Sequence, residues 1–134
     1  MTTDYLELTR SFEARDIDAS AFRHVDHVGV AYEMLRKHDF IHATAEYAES
    51  ICAIATAAGV PRKFNATITL AFMSLIAERM ATTQHVDYDD FITSNPDLLS
   101  KDVLEQWYSP ERLSSNLARS IFLMPDNTRP RRAD

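Results

Sequence analysis

Two histidines stand in an otherwise apolar helical repeat in the first third of the chain. The stretch Phe22–Met34 reads FRHVDHVGVAYEM and contains His24 and His27. Positions three and four residues apart share one face of a helix, so both imidazoles lie on a stripe that continues through Val28 and Ala31. We expect that stripe to face the core. The same spacing lets two imidazoles reach one ligand or one metal ion.

The chemistry available to these histidines has three interpretations. An imidazole near its reference pKa of about 6.5 can act as a general base at neutral pH, so His24 and His27 are the catalytic candidates. They can equally be ordinary histidines at a helix start, hydrogen-bonded to backbone or to a carboxylate. Two histidines with a carboxylate can also hold a divalent metal. Asp26 and Glu33 project away from the histidine face, towards the flanks or water, so we assign no metal ligands.

The expected counterpart of the histidine face lies in the segment Arg62–Met80. This segment is the most apolar of the chain, and we predict that it is the central helix of a bundle. Asn65 and Thr69 share one of its faces, and a buried amide or hydroxyl without a partner costs roughly 1–3 kcal/mol. If this face meets His24 and His27, polar groups converge in an apolar surround, which is typical of a small-molecule site.

The predicted site therefore combines catalytic and ligand-binding candidates. The catalytic candidates are His24 and His27, and the ligand-binding candidates are Asn65, Thr69, Tyr32 and Arg119. The chain lacks the Glu-x-x-His pairs of di-iron bundles, the His-Glu-x-x-His motif, a glycine-rich phosphate loop and a G-x-S-x-G elbow. These absences exclude the corresponding enzyme templates, and the cofactor remains unknown.

Composition and glycine content predict an all-α fold. The chain has 134 residues, of which 46% are hydrophobic and 25% charged, and it has only two glycines. Sheet proteins need glycine at turns and bulges, so this scarcity favours helices joined by short polar loops. We predict a single-domain bundle of four main helices plus short C-terminal helices over residues 1–126. Residues 127–134, with Arg129, Arg131 and Arg132, are predicted to be a flexible basic tail.

Helical periodicity and end signals give the boundaries of these helices. A first helix is predicted over residues 4–15, and the histidine-bearing helix extends to Arg36 or Lys37. A third covers residues 40–58 and stops at Gly59. Its predicted inner face is small and apolar: Ile41, Ala45, Ala48, Ile51, Cys52, Ala55 and Ala58. Short helices are predicted at residues 88–93 and 101–107, and another from Ser109-Pro110.

Charge and cysteine content limit the partners and the compartment. A net charge of −6 disfavours nucleic-acid binding, which needs a basic face. The single cysteine is consistent with a reducing compartment, and no apolar run approaches the ~18 residues that span a bilayer. The N-terminus lacks the pattern of a signal peptide, so we expect a cytoplasmic protein. Besides a small-molecule ligand, a homodimer or interaction partner is an alternative, docked on an aromatic surface: Trp107, Tyr108, Phe122 and Leu123.

Several stretches of the sequence are similar to a family of small, uncharacterised bacterial proteins. They are SFEARDIDASAFRHVDHVGVAYEML, FNATITLAFMSLIAERM, NPDLL, WYSPERL and LARSIFLMPD, and the similarity extends from Phe12 to Asp126. The resemblance implies a compact all-helical fold but no established activity. It also implies that a Tyr-His pair often stands where this chain has Phe64-Asn65. A three-histidine arrangement would be incomplete here, which weakens a metal role.

Overall fold

The structure, a computed structural model, describes residues 3–127. These residues form seven α-helices joined by turns and loops, and none of them is in a β-strand. The helices are α1 (Tyr5–Glu13), α2 (His24–Lys37), α3 (Phe40–Ala57), α4 (Ala66–Thr82), α5 (Tyr88–Ser94), α6 (Pro110–Leu113) and α7 (Asn116–Ser120). Single 3-10 turns occupy Ala19–Ala21, Pro61–Lys63, Pro96–Leu99 and Val103–Gln106. The all-α prediction is confirmed. The predicted basic tail lies almost wholly outside the described residues.

Short polar side chains start most of the helices. Asp4, Asp39, Asn65 and Asp87 each accept hydrogen bonds from backbone N–H groups in the first turn of α1, α3, α4 and α5. Those N–H groups have no partner within the helix, so the caps fix where each helix begins. At the other end of α3, Gly59 adopts a φ of 78°. This left-handed conformation ends the helix, as predicted.

The central helix is α2, not α4 as predicted. It packs against each of the other four long helices, α1, α3, α4 and α5. Eight of its residues are buried, including Val28, Val30 and Met34, which are fully inaccessible to solvent. Only Thr67, Met73 and Ile76 are buried in α4. The apolar side chains of α4 are instead shared between a cavity wall and a thin cover of C-terminal segments, so its composition misleads about its position.

Helix α1 crosses α2 at close range because α2 has a glycine at the crossing. A Cβ built on Gly29 would lie 2.5 Å from ring atoms of Tyr5. The Tyr5 hydroxyl donates to Oδ1 of Asp26 at 3.2 Å, and Oδ2 of Asp26 accepts from the Arg23 N–H at 3.0 Å. Asp26 is therefore buried beneath α1, and Glu33 is buried beside Arg36. The prediction that both carboxylates lie off the histidine face holds, but their expected exposure is wrong.

The buried face of α3 differs from the predicted one. Its buried residues are Ala43, Tyr47, Ser50, Ile54 and Ala55. By contrast, Ile41 is 75% exposed. The predicted face was chosen for its uninterrupted apolar side chains, whereas the real one carries two hydroxyls. Both hydroxyls are hydrogen-bonded, which is why they are tolerated there.

The start of α4 lies later in the sequence than predicted. Pro61–Lys63 forms a separate 3-10 turn, and Asn65 caps the helix that begins at Ala66. The predicted helix at residues 101–107 is also wrong, since only a 3-10 turn is present at Val103–Gln106. The predicted starts near Tyr88 and Pro110 are confirmed.

The C-terminal segments pack on the outer side of α4. A small core of Val103, Leu104, Tyr108 and Leu113 lies against Ala71, Phe72 and Leu75. Thr67 fixes the end of this cover, because its hydroxyl donates to the Ile121 carbonyl at 2.7 Å and accepts from the Leu123 N–H at 3.0 Å. Within residues 3–127, no helix is long and apolar enough to cross a bilayer.

Candidate functional site

A cavity of about 380 Å³ lies where α2, α3 and α4 meet. Its walls include all four residues predicted to converge, namely His24 and His27 from α2, and Asn65 and Thr69 at the start of α4. The remaining lining is mostly apolar: Ala31, Ile51, Phe64, Ile68, Phe72 and Met73, with Tyr47, Lys63 and Lys101. The geometric part of the prediction is thus confirmed: the histidine face meets the polar face of α4.

The ring of His27 is held by two aromatic residues. Its Nδ1 lies 2.8 Å from the Tyr47 hydroxyl, and its ring centroid lies 4.4 Å from that of Phe22. Burial lowers the pKa of His27 to about 4, and the nearby His24 lowers it further in the same direction, against a smaller opposing effect of Asp26. The imidazole of His27 is therefore neutral at pH 7.

The hydrogen bond to Tyr47 determines which nitrogen of His27 carries the proton. Tyr47 is buried, and burial raises the pKa of its hydroxyl, which keeps the proton on the oxygen. His27 is the only hydrogen-bond partner of that hydroxyl within residues 3–127, so Tyr47 donates to Nδ1 and the N–H of the neutral ring is at Nε2. Nε2 has no hydrogen-bond partner among these residues, and it is accessible to solvent. His27 thus has an N–H that no described residue uses, and the residue lines the cavity.

His24 has the opposite arrangement. Its Nε2 lies 3.0 Å from the carbonyl oxygen of Leu98, so Nε2 carries the proton and donates. The ring packs edge-on against Phe72, with centroids 5.1 Å apart. Nδ1 of the neutral ring is then an acceptor, and no described residue occupies it. His24 and His27 therefore offer the site one acceptor and one donor.

Asn65 and Thr69 line the same cavity but differ in their freedom to bind a ligand. Asn65 caps α4 by accepting from the Ile68 N–H at 2.9 Å, and its amide donates to the Leu113 carbonyl at 2.7 Å. Its side chain is thus committed to the fold. The Thr69 hydroxyl has no hydrogen-bond partner within residues 3–127, and it is accessible to solvent. It is available to a ligand as donor and acceptor.

The other two predicted ligand-binding residues lie elsewhere. Tyr32 is buried on another side of α2, where its ring packs against Tyr88, Phe91 and His85. Arg119 in α7 donates from Nε to the Arg62 carbonyl at 3.1 Å and from Nη1 to the Asn116 side chain. It links α7 to the turn before α4. Neither residue lines the cavity, so the structure does not place them in one site with the histidines.

Three cavity residues were not predicted from the sequence. Tyr47 was missed because the wrong face of α3 was taken as buried. Lys63 and Lys101 are exposed residues in loops and turns, where periodicity carries no information about neighbours. The one sequence feature that sets these two residues apart is that the chain has only three lysines.

A second cavity, of about 410 Å³, adjoins the first. The two share His27, Ile51, Lys63 and Phe64 in their walls. The rest of the second lining is mainly apolar: Ala19, Ser20, Phe22, Ile54, Ala55, Ala58 and Val60. Within residues 3–127, no aspartate or glutamate lies in the wall of either cavity. His27 therefore stands between two mostly apolar spaces.

The donors needed for a metal centre are not brought together. No group of three or more His, Cys, Asp or Glu side chains in residues 3–127 could hold a metal ion. The Asp26 carboxylate, the nearest in sequence to the histidines, is bonded to Tyr5 and to its own helix start.

Comparisons of the chain with protein-family models, with curated protein sequences and with solved structures give no match. The expected membership in a family of small bacterial helical proteins therefore stays a prediction.

Proposed function

We propose that this protein binds a small organic molecule in the cavity between α2, α3 and α4. The observation that carries the proposal is the convergence of His24, His27 and Thr69 on one mostly apolar cavity of about 380 Å³. Ligand sites are concave, mainly apolar and supplied with a few polar groups that fix orientation, and they commonly lie between helices of a bundle.

The polar groups have distinct roles in this proposal. His27 donates from Nε2–H, Thr69 donates or accepts through its hydroxyl, and His24 accepts at Nδ1. A general base must hold a free lone pair, and a pKa near the working pH makes it efficient. The Nδ1 lone pair of His27 is used by Tyr47, and its pKa of about 4 makes it a weak base. The arrangement therefore favours His27 as a binding donor, whereas Nδ1 of His24 is not used by any described residue.

The interaction-module alternative has less support. Of its four aromatic and apolar residues, Tyr108 and Leu123 are buried in the fold, and the Tyr108 hydroxyl donates to the Leu123 carbonyl at 2.8 Å. Trp107 and Phe122 remain 37% and 43% exposed. Exposed apolar side chains are ordinary for a protein surface, and a partner at this surface stays a prediction.

A cavity-filling variant tests the proposal. Ile68 lines the cavity and is 38% exposed, so the larger side chain in Ile68→Trp should occupy part of the cavity. A fragment library is screened by ligand-observed NMR against the wild-type protein. We expect that fragments which bind lose at least about tenfold in affinity in Ile68→Trp, equivalent to about 1.4 kcal/mol.

The matched control is Ile41→Trp. Ile41 lies on the outer face of α3, is 75% exposed and does not line the cavity. Fragment binding should be unchanged in this variant. If no fragment binds, or if the fragments bind both variants as tightly as the wild type, the cavity is not a binding site.

A further inference from the structure

The distribution of positive charge narrows the class of ligand. The chain carries a net charge of −6 and has only three lysines, Lys37, Lys63 and Lys101. Two of the three, Lys63 and Lys101, line the cavity. Lys37 lies at the end of α2 and is paired with Glu13 at 2.8 Å. Placement of two lysines around one cavity of an acidic protein is an unusual concentration of positive charge.

These two ammonium groups are not neutralised by the protein around them. Neither Lys63 nor Lys101 forms a salt bridge with a carboxylate within residues 3–127. Among the described residues, no aspartate or glutamate lines the cavity or the one that adjoins it. Both lysines are exposed residues that line the cavity, whereas most of the other lining residues are apolar. The two lysines therefore bring positive charge to a mostly apolar cavity.

The neutral groups of the cavity are compatible with an anion. His27 offers an N–H and Thr69 an O–H, and both can donate to an oxygen without introducing a second charge. The neutral ring of His24 adds no negative charge. Hydrogen bonds from such donors to an ionised oxygen are shorter and stronger than those to a neutral one.

We infer that the ligand of this cavity is an amphiphilic organic acid, whose anionic group lies between Lys63 and Lys101 and whose apolar body packs against Ile51, Phe72 and Met73. This inference rests on the proposed function. Lysines act as point charges that attract carboxylate and phosphate oxygens alike, and no arginine within residues 3–127 lines the cavity. The acids that test the inference are carboxylates.

Matched pairs of acids and amides test the inference. Octanoate and benzoate, together with their uncharged primary amides, are titrated into the full chain by calorimetry or ligand-observed NMR at low ionic strength. We expect each acid to bind more tightly than its amide. In the double variant Lys63→Met, Lys101→Met, the affinity for the acids should fall by about fivefold or more, while the affinity for the amides should not change. Added salt should reduce acid binding alone.

Two controls separate this inference from the proposed function. Lys37→Met removes the only other lysine, which lies away from the cavity, and should leave acid binding unchanged. Thermal unfolding of each variant verifies that it is folded. If neither acid binds, or if the amides bind as tightly as the acids and the double lysine variant changes nothing, the inference is wrong. In those cases the proposed function still stands if fragments bind the wild type and lose affinity in Ile68→Trp. The proposed function is wrong only if that fragment experiment fails as well.

Discussion

The central residue pair of this protein is His27 with Tyr47. A buried imidazole and a buried phenol each need a hydrogen-bond partner, and here each provides one for the other at 2.8 Å. Burial keeps His27 neutral, and the bond to Tyr47 places the remaining proton of the imidazole on Nε2. The sequence identified the histidine but not the tyrosine, since the apolar pattern of the alanine-rich helix α3 favoured another face.

The pKa of His27 predicts a pH dependence of stability. Its folded-state pKa of about 4 lies below the unfolded value of about 6.5, so the unfolded state binds more protons between these values. The stabilisation from a neutral His27 is present above about pH 6.5 and is lost as pH falls towards 4. Between pH 7 and pH 5, the free energy of unfolding of the wild type should fall by about 2 kcal/mol more than that of His27→Gln.

Urea unfolding at the two pH values measures this difference. His42→Gln is the matched control, because His42 is an exposed histidine of α3 that does not line the cavity. Equal losses of stability in the wild type and in His27→Gln would show that His27 is not held neutral by burial.

At the scale of elements, the crossing of α1 and α2 depends on Gly29. An alanine Cβ there would meet the Tyr5 ring at 2.5 Å, so Gly29→Ala forces α1 away from α2. Overpacking of this kind costs typically about 1–3 kcal/mol, more than the ~1 kcal/mol that alanine gains over glycine within a helix. We expect Gly29→Ala to lower the free energy of unfolding measured in urea.

A double-mutant cycle identifies the cause of that loss. In a Tyr5→Ala background the ring is absent, so Gly29→Ala should be neutral or stabilising by up to ~1 kcal/mol. A loss of the same size in both backgrounds would mean that the helix crossing does not depend on Tyr5.

The elements themselves were largely predictable from the sequence. Helix starts at Asp39 and Asp87 and the stop at Gly59 have local chemical causes, and they were placed within about two residues. The predicted start of α4 was wrong because Asn65 was treated as a residue of the helix, whereas it is the N-cap. The prediction of a helix at residues 101–107 failed because this short apolar segment is held by packing on α4, which the local sequence does not encode.

At the scale of the whole molecule, the meeting of His24 and His27 with Thr69 was predictable because two apolar faces with polar interruptions have to pack on each other. What could not be predicted is the contribution of long-range neighbours. Lys101 reaches the cavity from a loop beyond α5, and Leu98 bonds His24 from 74 residues away. Such pairings depend on how the short C-terminal segments cover α4, and single-sequence periodicity contains no information on that cover.

One hydroxyl fixes the end of that cover. Thr67 is fully buried and joins α4 to the Ile121 carbonyl and the Leu123 N–H, both more than 50 residues away in the sequence. Thr67→Val keeps the shape but leaves two backbone groups without partners, so we expect a loss of roughly 2–4 kcal/mol in unfolding free energy. Thr67→Ser keeps the hydroxyl and should lose only about 1 kcal/mol, the value of one buried methyl group.

Hydrogen exchange at the Leu123 amide distinguishes local from global effects of these variants. In Thr67→Val that amide has no acceptor, so it should exchange much faster than in the wild type, whereas Thr67→Ser should retain its protection. Because the segments that it holds also carry Leu113, which accepts from Asn65 at the cavity, fragment affinity should fall in Thr67→Val as well. Unchanged exchange at Leu123 in Thr67→Val would show that packing of Tyr108 and Leu113 alone holds the cover on α4.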